Sequence, residues 1–387
     1  YIKILYSYLI RGGFLRKFIA RMPLPITALA LAWVLLGNIF KGLIPFLSDM
    51  CMIVALILLI LTIAKIFLSP VSFYTSIKSP VGLSLFSSFP MSLIMISVWM
   101  KELFDKANLY FWVAGVVIQT AILIIFTIKY VFNFRIKYVF PSWFMVYAGL
   151  GMSAITCKDF GMDIYGKAVY FYTIFISIIL VIPILTRFFK RDTTIAARPL
   201  ISLLAIPLGI ILPAYIGLSP SVSTNSLWLM FIGLQAILVF VIINMILHLF
   251  DGFFPTWSCY AVSVAIVAYA SKFFLAYLLG HKIGSDIITY IIYGEYVLSF
   301  IVGAFMLLAS FISILEDPEV HRQRVMENTQ KLNLLELQKK LKKNEKRKNK
   351  DIKKASSKRK KMADDAPSPD PVRDSEESSF SLEDLID

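Results

Sequence analysis

The chain has 387 residues, 58% of them hydrophobic and 17% charged, with 31 Phe, 18 Tyr and a mean hydropathy of +0.74. So few polar residues cannot clothe a soluble domain of this length, which excludes a soluble enzyme, a disordered chain and a secreted disulfide scaffold. The formal net charge of +14 is unevenly placed: residues 1–315 hold 21 Lys/Arg and 9 Asp/Glu, whereas 316–387 hold 18 and 16.

Residues 1–22 put Ile2, Leu5, Tyr6, Leu9, Phe14, Phe18 and Ile19 near one helical face, with basic residues largely opposite. Those basic residues interrupt any signal-peptide core, so an amphipathic interfacial helix on the cytoplasmic side is expected. The chain opens on Tyr1 rather than Met, which leaves room for residues upstream.

Ten apolar runs follow, each near the 20 residues that a bilayer core requires: about 24–42, 48–68, 84–100, 109–131, 139–157, 165–188, 199–218, 227–250, 257–279 and 289–315. The expected fold is therefore an all-α polytopic membrane protein, with 23–315 as a ten-helix transport domain. Connections on the side of the amino terminus, counted with that terminus, hold 14 Lys/Arg, against 7 on the other side. The positive-inside bias then puts both termini in the cytoplasm of a multi-pass cell-membrane protein.

A proline recurs near the start of, or inside, every odd run: Pro25, Pro90, Pro141, Pro207 and Pro255, separated by 65, 51, 66 and 48 residues. Such spacing marks a helical hairpin repeated five times. Odd runs also carry small and hydroxyl residues, among them Ser88, Gly149, Gly151, Ser153, Gly209, Ser263 and Ser271, while even runs such as Met52 to Leu61 are uniformly aliphatic. A proline frees a carbonyl that protein or cavity water must satisfy. Five kinked, small-residue helices inside five greasy ones could enclose a narrow conduit, but small residues equally permit close helix packing, and composition leaves both readings open.

Cys51, Cys157 and Cys259, like His248, His281 and His321, are scattered without metal-ligand spacing, so neither a metal site nor a cofactor is expected. Ser153 in Gly151-Met152-Ser153-Ala154 and His248 on the eighth run raise a membrane-embedded hydrolase as a rival. That serine lacks the following glycine of intramembrane serine proteases and has no evident oxyanion donor, so no catalytic residue is assigned. Within the runs Lys272 and Glu295 lie toward the same, outer side, where a charge pair would lower the cost of burying either.

The tail divides again. Residues 331–361 hold 15 basic and 3 acidic residues, and 362–387 hold 1 and 9. A basic helical cytoplasmic tail over 316–361 is expected, either simply solvated or bound to anionic lipid, followed by an acidic disordered end over 362–387. Nucleic acid is not favoured as a partner, because the positive charge is mostly topology plus a counterbalanced tail.

Met22-Pro23-Leu24-Pro25 with Leu36-Gly37-Asn38, Phe86-Ser87-Ser88-Phe89-Pro90-Met91-Ser92-Leu93, Pro141-Ser142-Trp143-Phe144, Arg198-Pro199 with Ile206-Pro207-Leu208-Gly209, and Pro255-Thr256-Trp257 occur in order on the odd runs. This series resembles the tellurite-resistance/dicarboxylate transporter family, which includes bacterial tellurite-resistance proteins, fungal malate permeases and plant slow-type guard-cell anion channels. The resemblance spans about residues 22–315. It implies five hairpins in quasi-fivefold symmetry around a central pore lined by the odd helices, assembled as a homotrimer.

That family's pore is closed by a Phe on the ninth helix, a few residues after a Trp. Here Trp257-Ser258-Cys259-Tyr260-Ala261-Val262 puts Ala261 at that place or displaces the aromatic to Tyr260. Candidates for the pore lining and gate are Phe89, Pro90, Gly149, Pro207, Gly209, Tyr260 and Ala261. The basic excess of the body favours a small anion as cargo, whether an inorganic anion or a C4-dicarboxylate. A proton-coupled malate or dicarboxylate carrier and a tellurite-resistance transporter are the alternatives.

Overall fold

The computed structural model describes residues 14–101, 107–190, 194–249, 253–283, 286–315 and 330. Contacts divide the chain into two units, Tyr1–Met326 and Glu327–Asp387. Apart from Gln330, the expected tail segments 316–361 and 362–387 lie outside the described residues, as do residues 1–13 of the amphipathic segment.

Among the described residues all regular structure is helical. Eight helices among the described residues are long and apolar enough to cross a membrane, and the chain is an all-α polytopic membrane protein. The elements are α1 (Phe14–Arg21), α2 (Ile26–Phe40), α3 (Pro45–Leu68), α4 (Pro70–Ile77), α5 (Pro80–Phe86), α6 (Ser88–Met100) and α7 (Ala107–Phe126, extended by a π-turn over Thr127–Val131). They continue as α8 (Trp143–Tyr147), α9 (Met152–Thr156), α10 (Asp163–Lys190), α11 (Ala205–Leu218), α12 (Thr224–His248), α13 (Ser258–Gly280) and α14 (Asp286–Leu315).

The repeating prolines mark the places where helical geometry changes. Pro25 is the N-cap of α2, Pro90 is the third residue of α6 just past the break at Ser87, and Pro141 precedes α8. Pro207 is the third residue of α11, directly after a 3₁₀ stretch over Ile195–Leu204, and Pro255 opens the 3₁₀ turn Pro255–Trp257 before α13. Proline is tolerated in a first helical turn because no intrahelical partner awaits its missing N–H.

Two of the ten expected runs are not among the eight membrane-length segments. The first is only 15 residues long and entirely buried; it ends where Gly42 takes φ +85°, a left-handed turn that glycine enters without strain. The fifth is broken, with α8 and α9 separated by a 3₁₀ turn over Ala148–Gly151 and followed by another over Cys157–Phe160. Carbonyls loosened by that break are taken up by Gln119 of α7, whose Nε2 donates to Met145 O at 3.0 Å and Val146 O at 2.8 Å. In a low-dielectric layer such carbonyls have to find a protein donor.

Burial separates two classes. Of the central windows of Pro80–Met100, Ile195–Leu218 and Pro255–Gly280, 72–83% is buried, against 22–39% for α3, α7, α10, α12 and α14. The second class exposes bulky apolar side chains at helical spacing, such as Ile53, Ile57 and Ile60 on α3 or Phe171, Phe175, Ile178 and Ile182 on α10. That is a surface fitted to lipid rather than water. The inner segments touch in a closed circuit, α2 to α6 to α9 to α11 to α13 and back to α2, and each also packs on the outer helix that follows it.

Glycines permit that packing. A Cβ on Gly149 would lie 2.8 Å from Met91 Sδ and 3.0 Å from Gln119 Nε2, and one on Gly209 would lie 2.8 Å from Ile266 Cγ1. At these two candidate pore positions the missing side chain permits close approach of a neighbouring helix.

Candidate functional site

A cavity of about 200 Å³ lies at one end of the inner circuit. Four of the five inner segments line it: α2 through Asn38 and the following Lys41, α6 through Met95, the broken segment through Thr156, and α13 through Tyr269 and Lys272.

Lys272 organises this cavity. Its Nζ donates to Asn38 O at 2.6 Å and to Lys41 O at 2.9 Å, the carbonyls at the end of α2. A helix C-terminus carries partial negative charge and holds a cation in place. Two of the three ammonium N–H groups are used in this way, which leaves one for another acceptor. Asn38 itself turns back, its Nδ2 donating to Val34 O at 2.9 Å. Asp159 at the rim is matched by Lys101, with Nζ 3.6 Å from Oδ1 and a hydrogen bond to Asp159 O at 3.0 Å.

The expected Lys272–Glu295 pair is not formed. Glu295 Oε1 accepts from Gln235 Nε2 of α12 at 2.8 Å, and the same nitrogen lies 3.3 Å from Ser271 Oγ. Consecutive helical residues point about 100° apart, so Ser271 meets α12 and α14 while Lys272 meets α2. Sequence placed both charged residues near one membrane side but could not assign the faces they occupy.

Tyr260 is fully buried, and its hydroxyl donates to Asn244 Oδ1 of the outer helix α12 at 2.7 Å, with the Trp257 ring edge-on at 5.7 Å. The Tyr260 ring, a gate candidate, is thus anchored to an outer helix. Ala261, where the resemblance calls for Phe, is also fully buried. Phe89 stacks on Phe86 at 5.5 Å, and Phe86 meets Phe73 of α4 edge-on at 5.1 Å. Pro90 and Pro207 are buried; a Cβ on Gly115 of α7 would come within 3.0 Å of Pro90 O.

A second cavity, about 190 Å³, is lined by Arg187, Arg198, Asn244 and His248 together with apolar residues. Arg187 donates through Nη1 to Lys137 O and Val139 O and lies over the Phe140 ring, 3.6 Å from its centroid. Ser153, the residue considered with His248 for hydrolysis, instead donates to Leu150 O at 2.7 Å and meets Tyr165 Oη at 2.9 Å. Among the described residues no three His, Cys, Asp or Glu side chains converge as metal ligands.

No family model matches this chain. No curated protein matches it either.

Two residues of consequence escaped the sequence reading. Lys65 and Arg187 enter the charge bias only as unnamed cations near the ends of apolar runs, yet Lys65 is buried on α3 and bonded to three carbonyls near the end of α1, and Arg187 on α10 is bonded to the Lys137 and Val139 carbonyls. A lysine in the last turn of an aliphatic run, followed by Ser69-Pro70, is the signal that was available.

Proposed function

We propose that this chain moves small anions, inorganic anions or C4-dicarboxylates, across a membrane along the axis of its inner segments. In this reading α2 and the broken segment 143–160 also span, giving ten spans as five hairpins in quasi-fivefold array. Both termini are cytoplasmic in a cell-membrane protein, and three copies assemble, as the family resembled in sequence implies.

The observation that carries the reading is the cavity shared by four inner segments, with the Lys272 ammonium held by α2 and one N–H uncommitted. At 1.5 Å per residue, the 15 residues of α2 rise about 22 Å, short of a hydrocarbon core of about 30 Å. A recess at its end would lie below the membrane surface, where a cation attracts anions more strongly than in water. The rim carboxylate, Asp159, is already neutralised by Lys101 and so does little to repel them.

Current across planar bilayers containing the purified protein tests this. Reversal potentials should follow the gradient of chloride, nitrate or malate; potentials that follow potassium instead would overturn it. A specific observation favours proton-coupled dicarboxylate movement as the second reading, namely the buried carboxyl of Glu295. Accumulation of malate in proteoliposomes driven by an imposed pH gradient would select it over a passive path.

A further inference from the structure

Glu295 on α14 is 4% exposed, and its Oε2 is buried without a hydrogen-bond partner. Its Oε1 accepts one bond from Gln235, whose Nε2 also reaches Ser271 Oγ, so both hydrogens of that amide nitrogen are engaged. The groups around it are Gln235 from α12, Ser271 from α13, and Tyr293 and Tyr296 on α14 itself, whose rings meet at 5.7 Å. From α2, which also packs on α14, the contacts are apolar, with Trp33 and Phe40 against Phe300 and Leu36 against Gly303. The cation nearest in sequence to this cluster, Lys272, is committed to the end of α2.

An ionised carboxylate here would lie in a low-dielectric layer with only neutral hydrogen-bonding neighbours, Gln235 and Ser271, and no counter-charge, an arrangement that costs far more than taking up a proton. One carboxyl without further ligands makes a poor metal site. We propose that Glu295 is a proton-binding site within the membrane, its carboxyl held as the neutral acid with Oε1 as carbonyl and Oε2 bearing an exchangeable hydrogen.

Ser271 and Lys272 connect this site to the cavity. The first faces the acid cluster and the second lines the recess, on different faces of one turn of α13. Losing the proton from Glu295 puts a negative charge about one helix diameter, ~10 Å, from the Lys272 ammonium, which weakens the attraction of the recess for anions. Acid conditions therefore favour anion entry and alkaline conditions oppose it. This last consequence rests on the anion reading, whereas the proton site itself does not.

The deciding experiment is infrared spectroscopy of the full chain in lipid nanodiscs, as a difference spectrum between wild type and Glu295→Gln. A carboxylic-acid C=O band that is lost in the variant and shifts in D₂O is expected near neutral pH. A carboxylate band in its place overturns the proposal. Gln235→Leu serves as a second variant: it should raise the frequency of the acid band by removing the bond to Oε1, and an unmoved band would sink the assignment even if Glu295→Gln fails to fold.

Dicyclohexylcarbodiimide supplies an independent readout. The acid's proton passes to a carbodiimide nitrogen as the carboxyl oxygen bonds the central carbon, so labelling of Glu295 should fall as pH rises. Protection by sodium ions would identify a cation site instead and overturn the proposal. In flux assays Glu295→Gln, which mimics the neutral acid, should lose at least half of the pH dependence of anion movement. Absence of anion flux in the wild type would fail the transport reading while leaving the infrared result to stand.

Discussion

Lys65 Nζ donates to Met22 O at 2.6 Å from a side chain only 2% exposed. The same ammonium reaches Ala20 O and Ser72 Oγ, both at 3.1 Å, and Ser72 Oγ donates in turn to Ala20 O at 3.0 Å. A single cation thus fastens the end of α1 to α3 and α4. Lys65→Met would leave these carbonyls without their charged donor, at a cost of about 2–3 kcal/mol. A lower midpoint of thermal unfolding in detergent, with faster tryptic cleavage at Arg21, is the expected result; unchanged values for both would refute the role.

Lys272 bears on the proposed anion path more directly. Lys272→Met removes a charge-assisted donor of ~1.5–3 kcal/mol from the recess, equivalent to about a ten- to hundredfold loss of anion affinity. Half-saturating anion concentration in flux assays should rise accordingly, and Lys272→Arg should recover part of the loss. An unaltered concentration dependence would remove Lys272 from the path.

Gly209 and Ile266 form a contact with no slack, since a Cβ on the glycine would meet Ile266 Cγ1 at 2.8 Å. Gly209→Ala should destabilise the fold by about 1–3 kcal/mol through overpacking of α11 on α13. Combining it with Ile266→Ala should cost less than the sum of the two single changes, a coupling that a double-mutant cycle of thermal or denaturant unfolding detects. Strict additivity would show that the two helices relax apart.

Tyr260 distinguishes a gate from a tether. Tyr260→Phe removes the bond to Asn244 Oδ1 and should cost about 1 kcal/mol of stability, with basal anion leak unchanged. A leak that increased in Tyr260→Ala without loss of folded protein would assign the ring as a plug.

The alternation of inner and outer helices was legible from proline placement and aliphatic content, because both report directly on what a helix packs against. Pro25, Pro90, Pro141, Pro207 and Pro255 each fall at or beside a change of helical geometry. The faces of individual polar residues were not legible. Lys272 and Glu295 share a depth, but a rotation of one residue along α13 assigns the lysine to a helix end and Ser271 to the acid. Lengths of α2 and of the segment around Gly149 were hidden for a related reason: hydropathy counts apolar residues and is blind to Gly42 ending one helix and to a 3₁₀ turn splitting the other.

The closed circuit of inner segments has a mechanical corollary. Carriers that rock two halves about a central site need a seam along which the halves can slide. A hoop in which each inner segment touches its two neighbours, with contacts as tight as Gly209 on Ile266, offers no such seam. On the transport reading proposed above, traffic along its axis would be governed by side chains and short local shifts of backbone, and turnover should respond to single-residue bulk far more than to linkers that would hinder large domain movements.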